Sequence, residues 1–147
     1  MKKILSMLAF ILATTFSTKA QKSEIFVKDD AAIRGYDAVA YFTAGKPMKG
    51  SKEFSVSYKG AVWYFSSKQN ADLFKGNPEK YVPQYGGYCA YGMSDNHKAP
   101  TEPDAWTIIN GKLYLNYNKD VQTKWNKKQQ EYIITADKNW QVIKNKE

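Results

Sequence analysis

The sequence predicts an α+β fold in which short antiparallel β-hairpins pack against helices. Two observations predict it. A hairpin followed by a helix occurs twice in the chain, and the C-terminal segment carries apolar residues at helical spacing. The 147 residues include 15% aromatic side chains, so aromatic packing is expected to dominate one modest core.

The two hairpin–helix units are related by a constant offset of 51 residues, which pairs Gly60 with Gly111 and Phe74 with Trp125. Alternating apolar residues before Lys59-Gly60, and an apolar strand after it, predict the first hairpin. Asn110-Gly111 is a strong turn signal for the second. Either an old duplication or convergence of two similar units explains the match.

A polar-rich helix with one large aromatic residue is expected after each hairpin. Asn77-Pro78 should close the first helix, because proline disfavours helical geometry in the residue before it. Beyond the second unit, a C-terminal amphipathic helix is predicted from the spacing of Ile133, Ala136, Trp140 and Ile143.

The N-terminus has the features of a secretory signal peptide. Lys2-Lys3 precede an apolar run, and small residues precede Gln21, so cleavage is expected after Ala20. Residues 21–147 would then form one exported domain, periplasmic or secreted, with its core at about 30–117 and a helical extension at 118–147. An uncleaved N-terminal anchor is the alternative.

Charge argues against a nucleic-acid function. Loss of residues 1–20 removes three lysines and no acidic residue, which lowers the formal net charge from +8 to +5. The remaining lysines are scattered, and the densest group, at 124–128, is typical of a solvated face.

The stretch YGGYCAYGMSDNH, residues 85–97, contains the only cysteine and the only histidine of the chain. Cys89, Met93 and His97 carry a thiol, a thioether and an imidazole, which are ligands for soft or borderline metals such as copper. In a continuous helix the first and last would be about 12 Å apart along the axis. A three-ligand site therefore needs a break near Gly92 or Ser94-Asp95-Asn96.

A packed turn explains the same stretch without a metal. The glycines then supply tight backbone geometry, Cys89 is a small buried residue, Met93 fills the core, and His97 sits in an exposed turn. One cysteine excludes an internal disulfide framework. A mixed disulfide between Cys89 and a partner protein is a further alternative.

Other chemistry is sparse, and no catalytic constellation is evident. Asp29-Asp30 and Asp37 could bind a hard cation, but two adjacent acids are ordinary turn and surface residues. Asp37 is expected to cap a turn or to pair with a buried polar group. A group of aromatic residues could line a pocket for a flat ligand or belong to the core: Tyr36, Tyr41, Trp63, Tyr64, Tyr85, Tyr88 and Tyr91.

Several motifs together resemble the YHS domain family in its exported single-domain form. They are Gly35-Tyr36-Asp37-Ala38-Val39-Ala40-Tyr41-Phe42, Tyr58-Lys59-Gly60, Trp63-Tyr64-Phe65-Ser66-Ser67, Phe74, Asn77-Pro78-Glu79-Lys80-Tyr81 and Tyr85-Gly86-Gly87-Tyr88-Cys89-Ala90. The resemblance covers roughly residues 30–117. It implies a binding module related to TRASH-type metal-binding domains.

Metal-binding members of these families carry Cys-x-x-x-Cys directly after an aromatic strand. Those positions fall at Ser66 and Asn70 here, neither of which is a thiolate. The expected function is a binding module of the bacterial envelope, not an enzyme, for a metal ion (copper first) or a small ligand. The alternatives are a structural or protein-interaction module that has lost metal binding, and a thiol redox partner.

Overall fold

In the computed structural model, which describes residues 23–146, six strands form three separate two-stranded antiparallel sheets. The predicted α+β class is therefore confirmed, whereas the predicted signal peptide lies outside the described residues. The strands are β1 (Val27–Lys28), β2 (Ala31–Ala32), β3 (Ser51–Tyr58), β4 (Ala61–Phe65), β5 (Trp106–Ile109) and β6 (Lys112–Leu115).

Short helices cover these hairpins. They are α1 (Ala40–Thr43), α2 (Lys68–Gly76), α3 (Pro78–Tyr81), α4 (Ala90–Ser94), α5 (Lys119–Asn126) and α6 (Gln129–Ile143), with 3-10 turns at Ile33–Gly35 and Gln84–Gly87. Across residues 23–146, no helix is both long and apolar enough to cross a membrane.

Both predicted hairpins form, and their turns have the same backbone geometry. Lys59 and Gly60 have φ values of 50° and 72°, as do Asn110 and Gly111. Positive φ at both central residues is the type I′ turn, whose twist matches that of antiparallel strands. A bulge interrupts the β3–β4 pairing between Ser51 and Ser55.

The helices that follow the hairpins also begin alike. The Ser67 side chain accepts a hydrogen bond from the Asn70 amide at the start of α2, and the Asn118 side chain accepts one from Val121 at the start of α5. Each is an N-cap that satisfies an otherwise unpaired helical N–H. The offset of 51 residues thus extends to the caps, and α2 ends directly before Asn77-Pro78 as predicted.

Two aromatic clusters form the core. In the first, the Phe74 ring lies 5.1 Å from Trp63 and 4.9 Å from Phe65, measured between ring centres. In the second, Trp125 lies 5.4 Å from Tyr114. The predicted C-terminal helix is α6, and its buried Ala136 and Ile143 pack in this second cluster.

Lys98 fixes the end of α6. The residue is only 4% exposed, and its ammonium donates hydrogen bonds to the carbonyl oxygens of Lys144 at 2.9 Å and Lys146 at 2.7 Å. It also donates to the carbonyl of Ser23 at 3.4 Å and lies over the Trp140 ring. A cation at a helix C-terminus interacts favourably with the helix dipole and with the last, unpaired carbonyls.

Lys98→Met should lower the free energy of unfolding by about 2 kcal/mol, because charge-assisted hydrogen bonds contribute about 1.5–3 kcal/mol and the apolar packing is largely kept. Urea unfolding measures the loss, and amide exchange should accelerate in the last turns of α6. Lys112→Met, at an exposed position of β6, is the matched control. Equal stability of the two variants would contradict a clamping role for Lys98.

Candidate functional site

The Asp37 carboxylate is fully buried and accepts five hydrogen bonds. One oxygen accepts from the backbone N–H groups of Val39 at 2.8 Å and Ala40 at 3.1 Å. The other accepts from the Ser66 N–H at 2.8 Å, the Ser66 hydroxyl at 2.7 Å and the Asn70 side-chain amide at 2.8 Å. Such a set of donors replaces the water that a buried carboxylate loses.

Three elements meet at this carboxylate. Asp37 precedes α1 and caps its first turn, Ser66 directly follows β4, and Asn70 lies in the first turn of α2. The prediction that Asp37 caps a turn or pairs with a buried polar group is confirmed in both parts.

Ser66 and Asn70 hold the positions to which the YHS resemblance assigns thiolate ligands. Both side chains donate hydrogen bonds to Asp37. The Asn70 amide nitrogen also lies 3.4 Å from the Ser66 hydroxyl oxygen. The arrangement pairs donors with a carboxylate. It therefore differs chemically from a pair of thiolates that converge on a soft ion.

Cys89 caps α4 and is 1% exposed. Its sulfur accepts hydrogen bonds from the N–H groups of Tyr117 at 3.2 Å and Gly92 at 3.4 Å, and its thiol lies 3.5 Å from the side-chain oxygen of Asn116. Burial raises the pKa of the thiol, and the backbone N–H groups oppose only part of that rise. The buried thiol is therefore held in its protonated form.

The other two predicted ligands lie in different environments. Met93 is fully buried in the second aromatic cluster, whereas the His97 side chain is 56% exposed and lies beyond the end of α4. Nδ1 of His97 is 3.3 Å from the carbonyl oxygen of Asp95. Among residues 23–146, no three His, Cys, Asp or Glu side chains are grouped so that they could hold a metal ion.

Other residues that the sequence singled out are mostly structural. Asp29 and Asp30 are exposed in the β1–β2 turn. Of the seven aromatic residues proposed for a flat-ligand pocket or the core, Tyr41, Trp63, Tyr85 and Tyr88 are buried, and Tyr36, Tyr64 and Tyr91 are half-buried.

Asp37 and Cys89 occupy equivalent places in the two halves of the chain. Each side chain caps a short helix. Asp37 accepts a hydrogen bond from the N–H of Ser66, directly after β4, and Cys89 accepts one from the N–H of Tyr117, two residues after β6. The two donor residues are 51 positions apart. The backbone N–H of Asp37 bonds to the carbonyl of residue 48, and that of Cys89 bonds to the carbonyl of residue 99.

The backbone before each of these two residues is also alike. Three consecutive residues have left-handed φ values, 43°, 60° and 76° at 33–35 and 58°, 61° and 89° at 85–87. The sequence signal for this match is Gly-Tyr-Asp-Ala at 35–38 and Gly-Tyr-Cys-Ala at 87–90, an offset of 52. Sequence analysis missed it because the hairpin units follow an offset of 51. The repeat is therefore longer than two hairpin–helix units.

Asp37→Asn should lower the free energy of unfolding by about 2–4 kcal/mol, because the new amide group turns a donor toward donors that the carboxylate accepted. Chemical denaturation measures the change. Asp30→Asn is the matched control, since residue 30 is exposed and its φ of 63° suits asparagine. A loss at residue 37 no larger than that at residue 30 would show that the network contributes little.

Cys89→Val should cost about 1–3 kcal/mol, because it removes the acceptor of the Tyr117 and Gly92 N–H groups at similar volume. Cys89→Ser keeps an acceptor and should cost less. A serine variant no more stable than the valine variant would contradict the capping role.

Because folding raises the thiol pKa, the stability that the neutral thiol contributes is present below the ordinary thiol pKa and is lost at higher pH. Wild type should therefore lose stability relative to Cys89→Ser above about pH 8.5, as urea unfolding across pH would measure.

Comparison with known proteins supports the family resemblance. The family model of the YHS domain matches residues 39–85, which include Ser66 and Asn70 but not Cys89, Met93 or His97. No curated protein and no solved structure matches the chain. The assignment to the YHS domain family is therefore supported over residues 39–85, the part of the chain that the family model matches.

Proposed function

We propose that this protein is an exported, non-catalytic binding module of the bacterial envelope that binds a small ligand or a partner protein. In this proposal no metal is bound at Ser66 and Asn70, the positions of the family's thiolate ligands. A YHS domain by itself suggests a metal-binding module. The proposal departs from that suggestion because of the residues that stand at positions 66 and 70.

The Asp37 network carries the proposal. A soft ion at the Ser66 and Asn70 side chains would have to displace two of the five donors of a fully buried carboxylate and would find no thiolate there. Breaking such a network leaves buried polar groups unpaired, which is costly in a low-dielectric interior. The position acts as a structural joint in this chain.

The absence of catalysis is part of the proposal and follows from Cys89 and His97. A cysteine nucleophile needs an accessible thiolate next to a base, and the Cys89 thiol is buried with a raised pKa. The predicted export signal at residues 1–20 supports a periplasmic or secreted location. An envelope protein is therefore the expected class of partner.

Copper binding through Cys89 is the second candidate, with Met93 and His97 as further ligands. One observation favours it: two backbone N–H groups already donate to the sulfur, and such donors stabilise a thiolate. Copper would have to reach a buried thiol and draw on one buried and one exposed side chain.

Thermal unfolding with and without Cu(I), under reducing anaerobic conditions, separates the two candidates. The purified protein, expressed from its full-length sequence, and Cys89→Ser are compared. We expect Cu(I) to leave the unfolding temperature of both unchanged. A bound ion at 100 times its dissociation constant would add about 2.7 kcal/mol.

A rise in wild type that Cys89→Ser lacks would overturn the metal-independent proposal and establish the copper site. His97→Ala and Met93→Leu would then identify its other ligands. A rise of equal size in both proteins would also contradict the proposal and place the copper ligands away from Cys89.

A further inference from the structure

A cationic cavity of about 320 Å³ opens to the surface beside the Ile33–Gly35 turn. It is formed where the 3-10 turn, the β1–β2 turn and the bulged start of β3 come together. Its lining residues are Asp29, Arg34, Gly35, Lys49, Gly50, Lys52 and Tyr64.

The charge of this cavity is not cancelled from within. Among the lining residues, Arg34, Lys49 and Lys52 contribute three positive charges and Asp29 one negative charge, and Glu102 outside the lining pairs with Arg34. Among the described residues, neither the Lys49 nor the Lys52 ammonium has an ion-pair or hydrogen-bond partner. Positive side chains that converge on a concave surface raise the local concentration of anions.

Arg34 is held in place at the cavity wall. Its Nε donates to the carbonyl of Thr101 at 2.8 Å, and its Nη2 donates to the Glu102 carboxylate at 3.1 Å. Its side chain is 20% exposed. A guanidinium has five N–H donors, so these two bonds fix the group without exhausting its donors.

The backbone of the cavity is braced by two glycines. The Gly50 N–H donates to the carbonyl of Gly35 at 2.8 Å, which joins two walls. A Cβ at Gly50 would lie 2.4 Å from the carbonyl carbon of Tyr64, and Gly35 has a φ of 76°. The pairing of β3 shifts between Ser51 and Ser55, and this bulge includes Lys52. Bulges commonly re-aim side chains beside functional sites.

We propose that this cavity binds a small oxyanion, the carboxylate or phosphate group of a soluble ligand. Arg34 is the fixed donor, and the Lys49 and Lys52 ammonium groups close on the anion from the other side. The volume is at the lower end of small-molecule pockets, so it suits a small anionic molecule. Asp29 weakens the attraction.

This inference rests on the proposed function, because it names the ligand class of a metal-independent binding module. The two fail separately. Cu(I) stabilisation of the wild type would overturn the metal-independent function and leave an anion site unaffected. A lack of anion binding would overturn the cavity proposal alone.

The test is an NMR titration of the ¹⁵N-labelled protein with sodium phosphate and, separately, sodium acetate at constant ionic strength. The Gly35 and Gly50 amides are the reporters. We expect saturable shifts with at least one anion below about 20 mM. Preferential saturation by phosphate or by acetate identifies the ligand group, and either result supports the site.

Variants decide whether the shifts come from this cavity. Lys49→Gln and Lys52→Gln should each raise the dissociation constant about threefold, and Asp29→Asn should lower it about twofold, as expected for partly exposed charges. Lys112→Gln, exposed on β6, is the matched control and should change nothing. Unchanged thermal unfolding of the variants verifies their folding.

Two results would overturn the proposal. One is the absence of saturable shifts with both anions. The other is an effect of Lys112→Gln as large as that of Lys49→Gln, which would show that net charge, and not the cavity, attracts the anion.

Discussion

The buried Asp37 carboxylate is the interaction on which the first half of the structure depends. A charge that is removed from water is costly unless hydrogen bonds compensate for it, and here five donors do so. Because the donors belong to α1, the end of β4 and α2, the carboxylate fixes these elements relative to one another. Cys89 holds the equivalent junction in the second half, where sulfur is a weaker acceptor and the Asn116 side chain takes the Tyr91 N–H as well.

Much of the fold could be predicted because its signals are local. Asn110-Gly111 sets a turn, Pro78 ends a helix, and apolar spacing marks α6, all within a few residues of their effect. The left-handed backbone at residues 33–35 and 85–87 could not be predicted, because Ile33 is β-branched and such residues normally avoid positive φ. Lys98 was equally hidden, since lysine is rarely buried and its carbonyl partners lie 46 and 48 residues later in the chain.

The candidate site was predictable only in part, and the reason is again distance along the chain. The family resemblance pointed to Ser66 and Asn70, but what they contact depends on Asp37, which lies 29 and 33 residues earlier. Cys89, Met93 and His97 are close in sequence, yet burial separates their environments, and spacing alone carries no information about burial. The cationic cavity left no sequence signal, because its residues come from separate segments that only the folded chain brings together.

The Lys98 ammonium also determines where the two ends of the described chain lie. The carbonyl groups of Ser23 and Lys146 accept hydrogen bonds from the same nitrogen atom, so these residues are neighbours in space. The two ends of the described backbone therefore lie close together. A short linker between residues 23 and 146 would join them at a small cost in loop-closure entropy. New chain termini could then be opened at the Asn110-Gly111 turn. The repeated units would follow one another in a different order along such a permuted chain and would keep the same arrangement in space.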